Sequence, residues 1–235
     1  MNSVYLFDIE GTVAPISFVT DVLFPYSEKR LEMYLKSNLL EESFFQKISE
    51  EYRSDKDGAL YSESLSNHPE SVTKYMKFLI SVDRKSPTLK EIQGNIWKEG
   101  YENGEIKSKL FPDTPEFFTY LKSKNIGIAI YSSGSILAQK LIFKYSEFGD
   151  LTGFIMDYFD TGIGGKRESG SYQNILKKLN IPSSRVKFFT DIKEEADASS
   201  PTGIKTYIMT RPGNKPQASH SYDVLEDFRS LMKID

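Results

Sequence analysis

Two textures of hydrophobic and polar positions follow one another along this chain. From about residue 112 onward, short runs rich in β-branched and aromatic residues recur between amphipathic stretches. "IGIAIYS" (126–132), "GFIMDYF" (153–159), "VKFFTD" (186–191) and "IKTYIM" (204–209) read as strands, as does "SVYLFD" (3–8) near the start. Several are apolar throughout, which suits strands covered on both faces of a parallel sheet. Between them, "TPEFFTYLKSKN" (114–125), "SILAQKLIFKYS" (135–146), "SYQNILKKLN" (171–180) and "KEEADAS" (193–199) read as helices. This alternation predicts a doubly wound α/β fold. Pro182 and the pair Pro212–Gly213 punctuate element ends.

Residues 18–110 differ. "YSEKRLEMYLKSNL" (26–39), "EESFFQKISEEYR" (41–53), "PESVTKYMKFLISVDR" (69–84) and "PTLKEIQGNIWKEGYENG" (87–104) carry helical patterns and almost no strand texture. Pro69 and Pro87 suit the first turn of a helix. The polar stretch 54–68, ahead of Pro69, reads as a loop and receives no role. The pattern therefore predicts an α/β core of residues 1–17 and 111–235 with an all-helical cap, 18–110, inserted after the first strand. Such an insert is expected over the carboxyl edge of the sheet, where open α/β folds bind ligands. No internal repeat or low-complexity tract is found.

Composition narrows the choices. The 235 residues suffice for a core domain with an insert and its own apolar interior. The absence of cysteine excludes disulfides, thiolate metal sites and a cysteine nucleophile. A net charge of −3 leaves no basic footprint, so no nucleic-acid partner is expected. Apolar runs such as "NIGIAIY" (125–131) are too short to span a bilayer, and Asp8 and Glu10 break any secretory leader pattern. The expectation is a soluble cytoplasmic protein, small enough to be found in the nucleus as well. Slight acidity and the lack of an obvious apolar stripe lean toward a monomer.

Chemistry gathers where strands end. The first strand ends in Asp8, followed by Glu10–Gly11–Thr12. The second ends in Tyr131, followed by Ser132–Ser133–Gly134 and a helix. Lys166 follows the third in the glycine-rich turn "DTGIGGKRES" (160–169), and the fourth ends in Asp191, with Glu194 and Glu195 just beyond. Parallel neighbouring strands would bring these groups to one edge. Three or more carboxylates without a cation repel one another. With histidine only at 68 and 220, oxygen ligands favour a hard ion, Mg²⁺ above others. Hydroxyls and N–H groups at a helix start bind anions, and Lys166 adds positive charge. Together these equip a site for phosphoryl transfer through an aspartyl phosphate. Each feature also has a plain structural meaning. Asp8 is a loop acid, Ser132–Ser133–Gly134 an N-cap, Lys166 a solvated turn residue, Asp191 a helix cap with Glu194 and Glu195 complementing the dipole. Their order at four strand ends favours the site.

That order resembles the haloacid dehalogenase (HAD) superfamily, and within it the enolase-phosphatase (acireductone synthase) family of methionine salvage. The stretches that carry the resemblance are "DIEGTVAPISFVTDVLFPY" (8–26), "SVDRK" (81–85), "LKEIQGNIWKEGY" (89–101), "IYSSGSILAQKLIF" (130–143), "FDTGIGGKRESGSY" (159–172), "FFTDIKEEADAS" (188–199) and "RPGN" (211–214). The resemblance implies a HAD-like fold with a helical cap and one Mg²⁺ per chain. Asp8 would be nucleophile and metal ligand, Glu10 would meet the metal through its backbone carbonyl, and Asp191 would complete the metal site. Ser132 and Ser133 would bind substrate, Lys166 would hold the phosphate, and Glu195 would orient Lys166 or a metal-bound water. The implied reaction converts 2,3-diketo-5-methylthiopentyl-1-phosphate into an acireductone by enolisation and then dephosphorylation.

Within the implied cap, Trp97, Tyr101 and Arg84 lie close in sequence and are candidates for the methylthio pocket, although Trp97 at helical spacing from Leu89, Ile92 and Ile96 reads better as core. Pro15–Ile16–Ser17–Phe18 reads as part of a hinge. Two rivals are a sugar phosphatase or phosphomutase, which Glu10 in place of aspartate disfavours, and a catalytically silent binding protein, which Asp8, Lys166 and Asp191 together disfavour.

Overall fold

The structure is a computed structural model that describes residues 3–38, 42–54, 61–82, 84 and 86–232. Six positions of the expected polar loop, 55–60, lie outside the described residues, as do Asp83 and Lys85. The chain divides into two compact units, residues 1–20 with 104–235 and residues 21–103.

The first unit is a six-stranded parallel sheet in the order β3-β2-β1-β4-β5-β6. Its strands are β1 (Val4–Phe7), β2 (Gly127–Tyr131), β3 (Ile155–Phe159), β4 (Val186–Thr190), β5 (Lys205–Met209) and β6 (Asp223–Leu225). In β1 and β2 every residue is buried, whereas the edge strands β3 and β6 are partly exposed. From β1 the chain winds outward through β2 and β3, then returns to build β4, β5 and β6 on the other side. The switch point, where α/β sheets open a crevice for ligands, thus lies between β1 and β4. Phe7 pairs with Phe189 and with Ile130, so the ends of these strands stand level.

Alternation along the strands sends side chains to two cores. Leu6, Tyr131, Phe159 and Phe188 pack with Tyr172 and Ile175 of α7 (Ser169–Leu179). On the opposite face Phe7 stacks on Phe189 at 4.9 Å. There Phe117 of α5 (Asp113–Ser123) also stacks on Phe228 at 4.8 Å. Beside this aromatic layer Arg211 makes a two-pronged ion pair with Asp113, at 3.0 and 2.9 Å. The guanidinium lies 4.6 Å from the ring centres of both Phe111 and Phe228. Asp113 also accepts the Phe228 N–H at 2.8 Å, so the whole pair is hydrogen-bonded. The remaining helices of this unit are α6 (Ile136–Lys144), α8 (Lys193–Ser199) and α9 (Arg229–Met232). β6 and α9 have no counterpart in the sequence pattern, being too short to show a period.

The units meet in the chain at 20/21 and 103/104, against the expected 17/18 and 110/111. Residues 104–110 side with the sheet because Ile106 and Leu110 are buried. Ser108 also exchanges backbone hydrogen bonds of 2.9 Å with Tyr145 and Glu147. At the other crossing, Phe18–Leu23 winds as a π-helical segment, a form that the apolar pattern does not signal.

Among its described residues the second unit has helices and no strand, its α-helices being α1 (Phe24–Ser37), α2 (Glu42–Ser54), α3 (Pro69–Ser81) and α4 (Pro87–Glu102), with irregular chain at 61–68. Pro69 and Pro87 open α3 and α4, as their missing N–H groups allow. Ser86 caps α4 by accepting from the Leu89 N–H at 3.0 Å. Leu31, Leu35, Val72, Met76, Ile92 and Ile96 form its core. Trp97 is buried, and its indole N–H donates to the Leu23 carbonyl at 2.7 Å, which makes it a structural residue. Gly100 makes room for Tyr26: a Cβ there would stand 2.5 Å from the Tyr26 hydroxyl and against its ring, so that side chain would have to move.

Replacing Asp113 by alanine strands a buried guanidinium. Chemical denaturation is expected to show a loss of about 3–5 kcal/mol, whereas Glu116→Ala, which breaks the exposed pair with Arg229, should cost less than about 1 kcal/mol.

Candidate active site

The tip of β1 is made by a loop that consumes its own polar groups. The Asp8 N–H donates to the Phe189 carbonyl at 2.9 Å, holding the acid at the β1–β4 crevice. Beyond it the Ile9 carbonyl accepts from the N–H groups of Thr12, Val13 and Ala14, and the Gly11 N–H returns to the Ala14 carbonyl at 2.8 Å. This tight turn needs φ +69° at Gly11, in the region that suits glycine. It also needs space, because a Cβ at Gly11 would lie 2.4 Å from Asp191 Oδ2 and 2.8 Å from Asn214 Oδ1.

Three other strand tips close the site. After β4, the Thr190 hydroxyl accepts from the Ile192 N–H at 3.1 Å and donates to Glu195 Oε2 at 2.6 Å. Asp191 does not cap α8, whose N-cap is Ile192 without a side-chain bond. After β2, the Ser132 N–H donates to the Phe159 carbonyl at 3.1 Å, and Ser132 Oγ accepts from the Gly134 N–H at 3.1 Å. The helix starts where the pattern puts it, and Ser135, not Ser132–Ser133–Gly134, is its N-cap. Ser132–Ser133–Gly134 is therefore a turn ahead of the helix rather than its first turn. After β3, Tyr131 and Tyr172 donate their hydroxyls to the carbonyls of Gly164 and Lys166, at 2.8 and 2.7 Å, and so fix the turn that carries the lysine.

Asp8, Glu10, Ser132, Ser133, Lys166, Asp191 and Glu195 line one cavity of about 160 Å³, together with Ile16 and Ile192. Gly134 lies behind Ser132 and is not part of the lining, and Glu194 faces solvent. Asp8, Lys166, Asp191 and Glu195 are 5, 7, 4 and 7% exposed, so their charges act with little screening by water. Lys166 Nζ sits 2.6 Å from Asp8 Oδ1 and 2.8 Å from Glu195 Oε2. Burial alone would depress the amine, but Asp8 and Glu195 outweigh it and hold the pKa above the ordinary lysine value. Burial first, then the charges of Asp8 and Glu195, push Asp191 up to about 8. The same causes, burial and then Asp8, push Glu195 up to about 7 against the pull of Lys166. Glu10 is also raised, by crowding of protein around it and then by Asp8. Because Glu10 still reaches solvent at the cavity mouth, the Asp8 charge is the firmer of these two causes.

Four carboxylates thus face a single ammonium. A hard divalent cation fits this donor set. Asp8 and Asp191 flank the crevice, and the bare Cα of Gly11 leaves the Asp191 carboxylate its place. Among the described residues no three acid, histidine or cysteine side chains form a ready metal-binding group. The carboxylates of Asp8 and Asp191 that line the cavity are hard oxygen donors of the kind such an ion takes. Sequence reasoning gave no role to the hydroxyls of Thr190, Tyr131 and Tyr172, since a hydroxyl that holds a distant carboxylate or the carbonyls of a turn leaves no mark in spacing.

Gly11→Ala is expected to lose about 1–2 kcal/mol from the left-handed backbone alone, and to push the Asp191 carboxylate aside. Denaturation would give the first effect, and a crystal structure of the variant would show the second as a displaced Asp191 side chain.

Residues 3–199 match the family model described as haloacid dehalogenase-like hydrolase. The chain is 53% identical over 228 residues to the enolase-phosphatase E1 of Leptospira borgpetersenii serovar Hardjo-bovis (strain JB197), covering 97% of each protein. It is 42% identical over 236 residues to the enolase-phosphatase E1 of Drosophila pseudoobscura pseudoobscura, covering 97% of this chain and 94% of that one. Among solved structures, the UTR4 protein of Saccharomyces cerevisiae is similar at 35% identity and a TM-score of 0.80, over 98% of this chain and 100% of that chain. CbbY of Rhodobacter sphaeroides shares the fold at 15% identity and a TM-score of 0.60, over 98% of this chain and 96% of that one. With a sheet whose strand tips gather acid, hydroxyl and amine in one cavity, and with relatives alike from end to end, this chain belongs to the haloacid dehalogenase-like hydrolases and, among them, to the enolase-phosphatase E1 family.

Proposed function

We propose that this chain is the enolase-phosphatase of methionine salvage. It converts 2,3-diketo-5-methylthiopentyl-1-phosphate into the acireductone 1,2-dihydroxy-3-keto-5-methylthiopentene and phosphate. The observation that carries this reading is the meeting of Asp8, Lys166 and Asp191 in one cavity, in a chain whose likeness to enolase-phosphatases runs its whole length.

In this reading Mg²⁺ is held by Asp8, Asp191 and the Glu10 backbone carbonyl. When bound, it offsets the mutual repulsion of the carboxylates and draws electron density from phosphoryl and carbonyl oxygens. An Asp8 oxygen attacks phosphorus, forming the aspartyl phosphate while the bond from phosphorus to the substrate oxygen breaks. Water then cleaves the aspartyl phosphate and restores the carboxylate. Lys166, held by Asp8 and Glu195, neutralises the phosphoryl oxygens as charge builds on them. Ser132 offers a hydroxyl from a buried, fixed turn.

Glu10 stands where many phosphatases of the superfamily use aspartate to protonate an alkoxide leaving group. Here enolisation first removes a proton from C1 and delivers one to the C2 oxygen. The departing oxygen is then an enol conjugated to a ketone, much more acidic than an alcohol, and needs less protonation as it leaves. Glu10 is thereby released to move protons in the enolisation itself. The helical unit, inserted directly after the loop that bears Asp8 and Glu10, acts in this reading as the cap selective for the methylthio tail.

Acireductone formation tests the proposal. With Mg²⁺, wild type should turn over the diketo phosphate. Asp8→Asn should release no phosphate above background, and chelation should have the same effect. Glu10→Gln should lose at least about tenfold on the diketo phosphate and much less on the pre-formed enol phosphate. Equal losses on the two substrates would remove Glu10 from enolisation. Turnover of sugar phosphates with no action on the diketone would point to a general phosphatase.

A further inference from the structure

The turn from Arg211 to Asn214 has no part in the chemistry above, yet its side chains end on the backbone of the nucleophile loop. Three consecutive carbonyls of that loop are held by donors from distant parts of the chain. Asn214 Nδ2 donates to the Gly11 carbonyl at 2.9 Å and to the Met209 carbonyl at 3.1 Å. Arg211 Nε donates to the Thr12 carbonyl at 3.1 Å. The Val13 carbonyl accepts from the Phe111 N–H at 3.0 Å and the Thr114 hydroxyl at 3.1 Å. The orientation of the Asn214 amide follows from its partners: both are carbonyl oxygens, so the NH₂ end must face them. Its own turn closes with the Asn214 N–H on the Arg211 carbonyl at 3.0 Å, and Gly213 supplies φ +90°.

We propose that Asn214 is a positioning residue for the Glu10 carbonyl, a role that rests on the reading of Asp8, Asp191 and that carbonyl as the Mg²⁺ ligands. The peptide unit between Glu10 and Gly11 is planar and trans, so the Glu10 carbonyl points opposite to the Gly11 N–H. That N–H is tied to the Ala14 carbonyl, and the next carbonyl, of Gly11, is tied to Asn214. The two ties hold both sides of a residue at φ +69°. Without the amide, one side of Gly11 is released, and the direction of the Glu10 carbonyl loosens with it. Asn214 Oδ1 adds a second constraint. It is buried without a hydrogen-bond partner and abuts the bare Cα of Gly11 on the side where Asp191 also lies. One side chain therefore fixes a ligand carbonyl and bounds the space of a ligand carboxylate.

The test is a Mg²⁺ titration of the intact protein, read both by thermal stabilisation and by turnover of the diketo phosphate. Asn214→Ala is expected to raise the Mg²⁺ half-saturation by about 10–100-fold in both readouts, with kcat lowered and KM for the phosphate substrate near wild type at saturating metal. Gly213→Ala, which meets open space and acts only by straining the turn, should raise it by less. It carries the test should Asn214→Ala not fold. Ile175→Val in the sheet core is the control for stability alone, lowering the melting temperature with Mg²⁺ half-saturation unchanged. Wild-type half-saturation in the Asn214 and Gly213 variants overturns the proposal. A wild-type protein that shows no response to Mg²⁺ overturns the ligand assignment itself, and the positioning role with it.

Discussion

Lys166 is the constraint on which the rest of the site depends. Its ammonium lies between Asp8 and Glu195, all three side chains nearly buried, with Asp191 close enough to be pushed to about 8 by burial and by those same acids. A buried cation with two carboxylate partners is hydrogen-bonded and offsets part of their charge. The same carboxylates without it are a concentrated negative charge that folding must enclose. Much of the surrounding architecture serves to hold this one amine: Tyr172 and Tyr131 fix the turn that carries it, and Thr190 fixes Glu195. A site that is short of positive charge and rigid in its negative charge has room for a cation and for a phosphoryl group.

Placement follows from topology. With β1 at the switch point, Asp8 and Asp191 emerge on neighbouring strands whose ends stand level, which no loop arrangement away from the sheet would guarantee. The loop after Asp8 then has to turn back sharply, and it does so by spending its N–H groups on its own carbonyls while carbonyls 11–13 are tied from outside. The buried Arg211–Asp113 pair anchors one of those ties into the aromatic layer, so packing on that face of the sheet is coupled to the geometry of the loop after Asp8.

The parts visible in the sequence are those with short-range causes. Strands β1 to β5 and helices α3 and α4 are legible from apolar runs and helix-starting prolines; Asp8 and Asp191 are legible because each follows a strand directly, and Lys166 because it sits in the glycine-rich turn after the third strand. Trp97 reads as core from its spacing, and its buried indole bears that out. What escaped reading has long-range causes. Asp113 meets Arg211 98 positions away, and Asn214 reaches Gly11 across 203 positions, distances at which no local pattern exists. "RPGN" stood out by resemblance, but its purpose is visible only once it touches the loop. The start of α6 is legible, but that Ser135 rather than Ser132–Ser133–Gly134 supplies its cap is a choice between similar residues that local pattern does not settle.

The most direct test of the account is a crystal structure of the protein with Mg²⁺ and beryllofluoride, which mimics a phosphoryl group on a carboxylate. The account predicts beryllofluoride on the Asp8 carboxylate, Lys166 against its fluorides, and Mg²⁺ held by Asp8, Asp191 and the Glu10 carbonyl. Beryllofluoride seated on any other residue, or Mg²⁺ bound away from Asp191, would contradict it.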